Sequence, residues 1–167
     1  MRVVIQRVKR STVRVNKEYI SNIEKGICCF IGIKNNDVID DLIYIRDKIL
    51  KLRIFEDENN NLNRSIVDIK GDILLVSQFT LYGDARKGTR PSFHNAMEKN
   101  NANILFNSFV DMFKYESSIR VETGLFGANM EVEIINDGPV TILLDSDKAF
   151  WKLGEYLWKM LKFIEFH

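Results

Sequence analysis

Residues 72–84, Asp-Ile-Leu-Leu-Val-Ser-Gln-Phe-Thr-Leu-Tyr-Gly-Asp, constrain the fold more than any other stretch of this chain. Ile73-Leu74-Leu75-Val76 is a short apolar run rich in branched side chains, the pattern of a strand covered on both faces. The composition then changes at once to Ser77-Gln78-Phe79-Thr80, and Tyr82-Gly83-Asp84 turns the chain. Two hydroxyls and an amide therefore sit where a core strand reaches the surface. Polar groups at the end of a rigid strand are well placed to hold a ligand, although the same groups also serve to satisfy backbone as a strand ends.

The rest of the chain supplies partners for that strand. Val3–Val8 reads as a first strand, and Thr12-Val13-Arg14-Val15 and Tyr19-Ile20 flank a polar hairpin turn at Asn16-Lys17-Glu18. Gly26–Ile33 is nearly all apolar, so a central strand is expected there. From Asp37 the period becomes helical: Val38, Leu42, Ile45, Ile49 and Leu52 form one stripe with charged residues between. Leu52–Phe55 alternates as a strand should, and Glu56–Asn63 is a polar loop. A second helix is expected over Ala102–Phe113, with Leu105, Phe109 and Phe113 on one stripe. Strands are expected from Ile119, over Met130–Ile135 and over Val140–Leu144. Eight strands and two main helices, out of simple βα alternation, predict a single α/β domain with a mixed sheet. Lys148–His167 reads as a separate C-terminal amphipathic helix, with Phe150, Leu153, Leu157, Leu161 and Ile164 along one seam. Docking on its own domain or across a subunit interface is its expected role, with membrane-surface attachment the alternative.

Composition removes several function classes. Lys plus Arg number 24 against 23 Asp plus Glu, so any nucleic-acid contact needs a local patch. Cys28 and Cys29, the only cysteines, are adjacent, and neighbours on a strand point to opposite faces. They read as two reduced core thiols, which suits a cytoplasmic protein. Nothing has zinc spacing and no cofactor motif is present, so no metal and no cofactor are expected. The amino-terminal segment lacks the length and cleavage site of a signal peptide, and no run reaches membrane-spanning length.

A second informative stretch is Asn136-Asp137-Gly138-Pro139-Val140-Thr141, which holds one of only two prolines between two strand-like segments. Pro139 has no amide hydrogen and would interrupt a central ladder. The trans preference before proline is only about 0.5–1 kcal/mol, so a cis bond is open at this position, as is a plain hairpin turn.

Taken together, Ser77-Gln78-Phe79-Thr80-Leu81 and Asn136-Asp137-Gly138-Pro139-Val140-Thr141 resemble the D-aminoacyl-tRNA deacylase family. Met1-Arg2-Val3-Val4-Ile5-Gln6-Arg7-Val8 is similar to that family's start, and Gly124-Leu125-Phe126-Gly127-Ala128-Asn129-Met130 to the segment before its last strands. The resemblance covers residues 1–147, which it marks as the deacylase domain. The extension 148–167 lies outside it. It implies a β/β/α layered, barrel-like core and a homodimer without cofactor. The implied activity is hydrolysis of the ester between a D-amino acid and the terminal adenosine of tRNA, with glycine mischarged on tRNA-Ala also accepted.

Carried over by position, Ser77, Gln78, Phe79 and Thr80 line the pocket for the aminoacyl group and adenosine, with Met130 beside them. Gly138-Pro139 resembles a Gly–cis-Pro element that one subunit inserts into the other's pocket. Its carbonyls would stand where an L side chain must go, leaving a D side chain free. Backbone amides around Phe79 and Thr80 are the expected oxyanion donors. Thr80 reads as a positioning residue more than a nucleophile, because no nearby element offers a base. The resemblance implies that the tRNA's own terminal 2′-hydroxyl assists. Arg86, Lys87 and Arg90 follow the pocket strand and are the expected contacts to acceptor-stem phosphates. His94, the one internal histidine, is assigned a surface or hydrogen-bonding role. Two rival readings are weaker: a KH-type RNA module built on Gly124-Leu125-Phe126-Gly127, and a hydrolase of another ester using Thr80 covalently.

Overall fold

A computed structural model describes residues 1–114 and 119–148 of the chain. Its organising element is β1 (Arg2–Val15), which pairs on both edges along its length. One edge meets β2 (Glu18–Ile23) and then β3 (Gly26–Gly32), both antiparallel. Ser11 faces Ile23 and Val8 faces Gly26, so β2 and β3 lie end to end along that edge. The hairpin turn is the expected one: Asn16 and Lys17 both have positive φ (52° and 70°), as a two-residue primed turn requires.

Helix α1 (Ile39–Lys51) buries Leu42, Ile45 and Ile49, the stripe that the helical period marked. A short ribbon of β4 (Phe55–Glu56) and β5 (Leu62–Arg64) follows, shorter than the strand expected over Leu52–Phe55. Strand β6 (Asp72–Ser77) then enters parallel to β3, and its Ile73, Leu74, Leu75 and Val76 are all buried. Helix α2 (Lys99–Asp111) starts earlier than its apolar stripe, because the Glu98 carboxylate accepts from the amides of Asn100 and Asn101. Strand β7 (Val121–Thr123) lies parallel to β6, and β8 (Glu131–Asp145) runs antiparallel along the free edge of β1.

The sheet is mixed, in the order β2-β1-β3-β6-β7 with β8 on β1, and it curls toward a barrel. The Ser21 hydroxyl of β2 donates to the Thr123 carbonyl of β7 at 2.7 Å, joining the two ends of that order. Both helices pack on the outer face: Val3, Ile5, Cys29, Ile31 and Leu75 meet Leu42, Ile45, Phe106 and Phe109. Inside the curl a second cluster joins Val8, Val13, Ile23, Cys28, Leu74 and Val76. Cys28 and Cys29 thus face opposite layers as expected, and burial pushes the Cys28 thiol up to about 12.

Two expectations are corrected. The segments Val3–Val8 and Thr12–Val15 are one strand, and those expected over Met130–Ile135 and Val140–Leu144 are likewise one, beginning at Glu131. In both cases the register of β1 against β8 slips, between Gln6 and Val8 and between Val8 and Arg10. A slip moves side chains to the other face, so a continuous strand reads in sequence as two. The helix expected over residues 148–167 lies, apart from Lys148, outside the described residues. No helix among the described residues is long and apolar enough to cross a membrane.

Candidate active site

Strand β6 delivers Ser77 to the edge of the core, and Phe79–Tyr82 then coil into a single 3-10 turn. Sequence reading placed a turn only at Tyr82-Gly83-Asp84, so the chain bends three residues sooner. The turn is fixed by backbone: the Gln78 amide donates to the Ile31 carbonyl at 2.7 Å, and the Gly83 amide to the Thr80 carbonyl at 2.9 Å. As the first two residues of that turn, Phe79 and Thr80 have N–H groups that its own i→i+3 pattern leaves unpaired. The Gln78 side-chain amide donates to the Thr80 hydroxyl at 2.5 Å. Among the described residues no histidine or carboxylate hydrogen-bonds that hydroxyl.

Ser77, Gln78 and Phe79 form one wall of a cleft of about 550 Å³, whereas Thr80 is exposed and is not among the residues that line it. Its floor is Ile31, Val76 and Val132. Met97, Lys99, Ala102 and Phe106 come from α2 and its approach; Phe126 to Met130 come from the loop before β8. The cleft therefore joins two of the motifs that the sequence analysis singled out, across some fifty residues of chain. Sequence reasoning missed Lys99, Phe106 and Phe126: Phe106 and Phe126 tilt against each other at 5.7 Å and wall the cleft with aromatic surface.

The third motif behaves differently. Asn136–Thr141 bulges out of β8, since Gln6 pairs with Thr141 while Val8 pairs with Asn136. The Gly138–Pro139 peptide bond is cis, and both residues are exposed. Within one chain they are absent from the cleft lining. What holds the bulge is Arg7, another residue the sequence analysis passed over, although a cation in an apolar strand was the signal for it. Its side chain is buried; Nε donates to the Asp137 carbonyl at 2.9 Å and Nη1 to the Ile54 carbonyl at 2.7 Å. The Glu56 and Asp137 carboxylates, at 3.6 and 3.5 Å, balance its charge. Gly138 takes φ +130°, and a Cβ there would lie 2.8 Å from the Val140 amide nitrogen.

Arg86, Lys87 and Arg90 sit on an exposed loop beyond the turn, outside the cleft. Arg86 grips Asp84 through two nitrogens, at 2.9 and 2.6 Å, and that guanidinium holds the Asp84 carboxyl down to about 2. A wider, polar depression of about 950 Å³ lies on the far side of the turn and includes Lys34, Tyr82, Arg86 and His94. Its cations are already matched, Lys34 to Asp147, Arg2 to Asp145 and Arg86 to Asp84, and none of Ser77–Leu81 lines it. Among the described residues no cluster of His, Cys, Asp or Glu is placed to hold a metal ion.

Comparison with known proteins gives the family. Residues 4–145 match the family described as D-Tyr-tRNA(Tyr) deacylase. The D-aminoacyl-tRNA deacylase of Clostridium perfringens (strain SM101 / Type A) is 54% identical over 150 residues, covering 90% of this chain and all of that protein. The D-aminoacyl-tRNA deacylase of Clostridium acetobutylicum is 50% identical over the same shares. A solved structure of a c-Myc DNA unwinding element binding protein matches with a TM-score of 0.81 and 44% identity, covering 87% of this chain and 98% of its own. A probable eukaryotic D-amino acid tRNA deacylase shares the fold, with a TM-score of 0.76 at 22% identity over 86% of this chain and 98% of its own. A family match over most of the chain, and identity above one half to a relative matched end to end, lead to one conclusion: the chain belongs to the D-Tyr-tRNA(Tyr) deacylase family.

Proposed function

We propose that this protein hydrolyses the ester between a D-amino acid and the terminal adenosine of tRNA, releasing tRNA and free D-amino acid, and spares the L-ester. The observation that carries the reading is the cleft in which Ser77, Gln78, Phe79 and Met130 meet a space walled by aromatic and aliphatic side chains, beside the first amides of the 3-10 turn. Apolar walls suit an adenosine and an aminoacyl group, and the few polar groups orient them.

Water supplies the nucleophile. Its oxygen bonds to the carbonyl carbon, the bond from that carbon to the ribose oxygen breaks, and a proton passes to the ribose oxygen. Negative charge develops on the carbonyl oxygen, and the Phe79 and Thr80 amides are the donors that meet it. One such donor is worth about 3–4 kcal/mol of barrier where it has been removed in other enzymes. Thr80, held by Gln78, positions the ester rather than attacking it, since among the described residues no base reaches its hydroxyl. The adjoining 2′-hydroxyl of the substrate, the group that the family resemblance implies, relays the proton.

Handedness is assigned to the Gly138–Pro139 bulge of a second copy. Ile135 and Leu143, on either side of the bulge along β8, are 40% and 48% exposed, an apolar surface suited to a two-fold partner. Inserted into the neighbour's cleft, the bulge excludes an L side chain by occupancy, whereas D-esters and the side-chain-free glycyl ester on tRNA-Ala pass. Arg86, Lys87 and Arg90 meet tRNA phosphates. Residues 1–147 suffice as the catalytic domain.

The test is a matched pair of D-tyrosyl-tRNA and L-tyrosyl-tRNA. Release of tyrosine from the D-ester alone supports the reading. Equal release from both removes the chiral part, and release from neither removes the whole.

A further inference from the structure

The loop 84–92 is closed at its base by two backbone hydrogen bonds between Asp84 and Ser92, at 2.8 and 2.9 Å. It exposes three cations against one carboxylate, and that carboxylate is taken by Arg86, so Lys87 and Arg90 carry its net positive charge. At the foot of the loop Phe93 stands edge-on to Phe79, with ring centroids 5.0 Å apart and planes at 64°. Gly83 makes this possible: a Cβ there would lie 3.0 Å from the Phe93 ring. Both rings remain open to water, Phe79 at 58% and Phe93 at 38% exposure.

Two large aromatic faces left in solvent, between an ester cleft and a cationic loop, match how single-stranded nucleic acid is held. Bases stack on exposed rings while nearby cations follow the backbone, and any base serves because each has a π-face. Phe79 lines the cleft and Phe93 does not, so the adjoining ring lies just outside the proposed ester site, within reach of the next nucleotide. We propose that Phe93, braced by Phe79, is a stacking platform for the base of the nucleotide next to the terminal adenosine, with Lys87 and Arg90 holding its phosphates. This inference rests on the deacylase reading and adds a site for the single-stranded end of the tRNA outside the ester cleft.

The test compares kcat/KM for D-tyrosyl-tRNA with kcat/KM for 3′-O-D-tyrosyl-adenosine, which has no neighbouring base. Phe93→Leu keeps an apolar side chain against Phe79 but removes the ring face. It lowers the ratio of the tRNA value to the adenosine-ester value by about tenfold, within the range for loss of one stacked base. Phe93→Tyr keeps a ring and restores the ratio. A ratio unchanged in Phe93→Leu, as when a second copy of the chain covers the rings, overturns the platform. So does an equal loss on both substrates, which would make Phe93 only a prop for Phe79. A wild-type protein inactive on both substrates takes down the deacylase reading as well, whereas activity with an unchanged ratio takes down the platform alone.

Discussion

The turn at Phe79–Tyr82 and the bulge at Asn136–Thr141 both interrupt regular strand, yet they are held in opposite ways. The turn rests on backbone: the Gln78 amide to Ile31, the Gly83 amide to Thr80 and, beside them, the Met97 amide to the Ile33 carbonyl at 2.9 Å. Beneath it Leu74 and Leu75 are fully buried. The bulge is paired with β1 only at its ends, Asn136 opposite Val8 and Thr141 opposite Gln6, and between them a side chain does the holding. One guanidinium, that of Arg7, reaches from β1 to hold the Asp137 and Ile54 carbonyls at once. Backbone anchoring tolerates side-chain change; a single buried cation does not. The half of the proposed site that positions the ester is therefore robust, and the half that reads handedness depends on one residue.

The largest expected effect strikes that residue. Arg7→Met leaves two carbonyls without their donor and lowers unfolding free energy by about 3 kcal/mol, measured in urea. Displacement of the bulge opens the neighbour's cleft to L side chains, so the preference for D- over L-tyrosyl-tRNA falls by about 100-fold. A stable Arg7→Met protein with full preference for the D-ester would dissolve the contrast. Gly138→Ala comes next, because its φ of +130° and the Val140 nitrogen 2.8 Å from the new Cβ leave no relaxed place for a methyl group. The cost is about 1–3 kcal/mol, and the preference for D- over L-tyrosyl-tRNA narrows in a paired assay.

On the backbone-held side the effects shrink. Thr80→Val removes one hydroxyl and the hydrogen bond from Gln78, and slows turnover by no more than about tenfold. A loss of 100-fold or more would recast Thr80 as a nucleophile and place the chemistry on a side chain after all. Smallest is Arg86→Gln. Because Asp84 already engages Arg86, the slope of log KM against log salt changes less than in Lys87→Gln, where about 0.7 of a counterion per lost phosphate contact is expected on a single strand. Equal slopes would show that tRNA breaks the Arg86–Asp84 pair.

Much of this was legible in the residues. The helical stripe Leu42, Ile45 and Ile49 and the opposed faces of Cys28 and Cys29 follow from side-chain period alone, since period decides which face is buried, and the polar run Asn16-Lys17-Glu18 marked the hairpin though not its turn type. The continuity of β1 and β8 was not legible, because a register slip erases the alternation by which strands are recognised. Arg7 escaped for a related reason: its partners are two backbone carbonyls, at residues 54 and 137, and carbonyls carry no sequence signature.

By itself the sequence determined the helices, most strand segments and their buried faces and, through four short motifs, the family. Only the tertiary structure decided that Ser77–Phe79, Phe106 and Phe126–Met130 wall one cleft, and that Gly138–Pro139 stands outside it in the same chain. Local pattern reports which face of an element seeks burial. Which distant backbone or side chain meets that face is set by sheet curvature and register, and these are properties of the assembled layers rather than of any one segment.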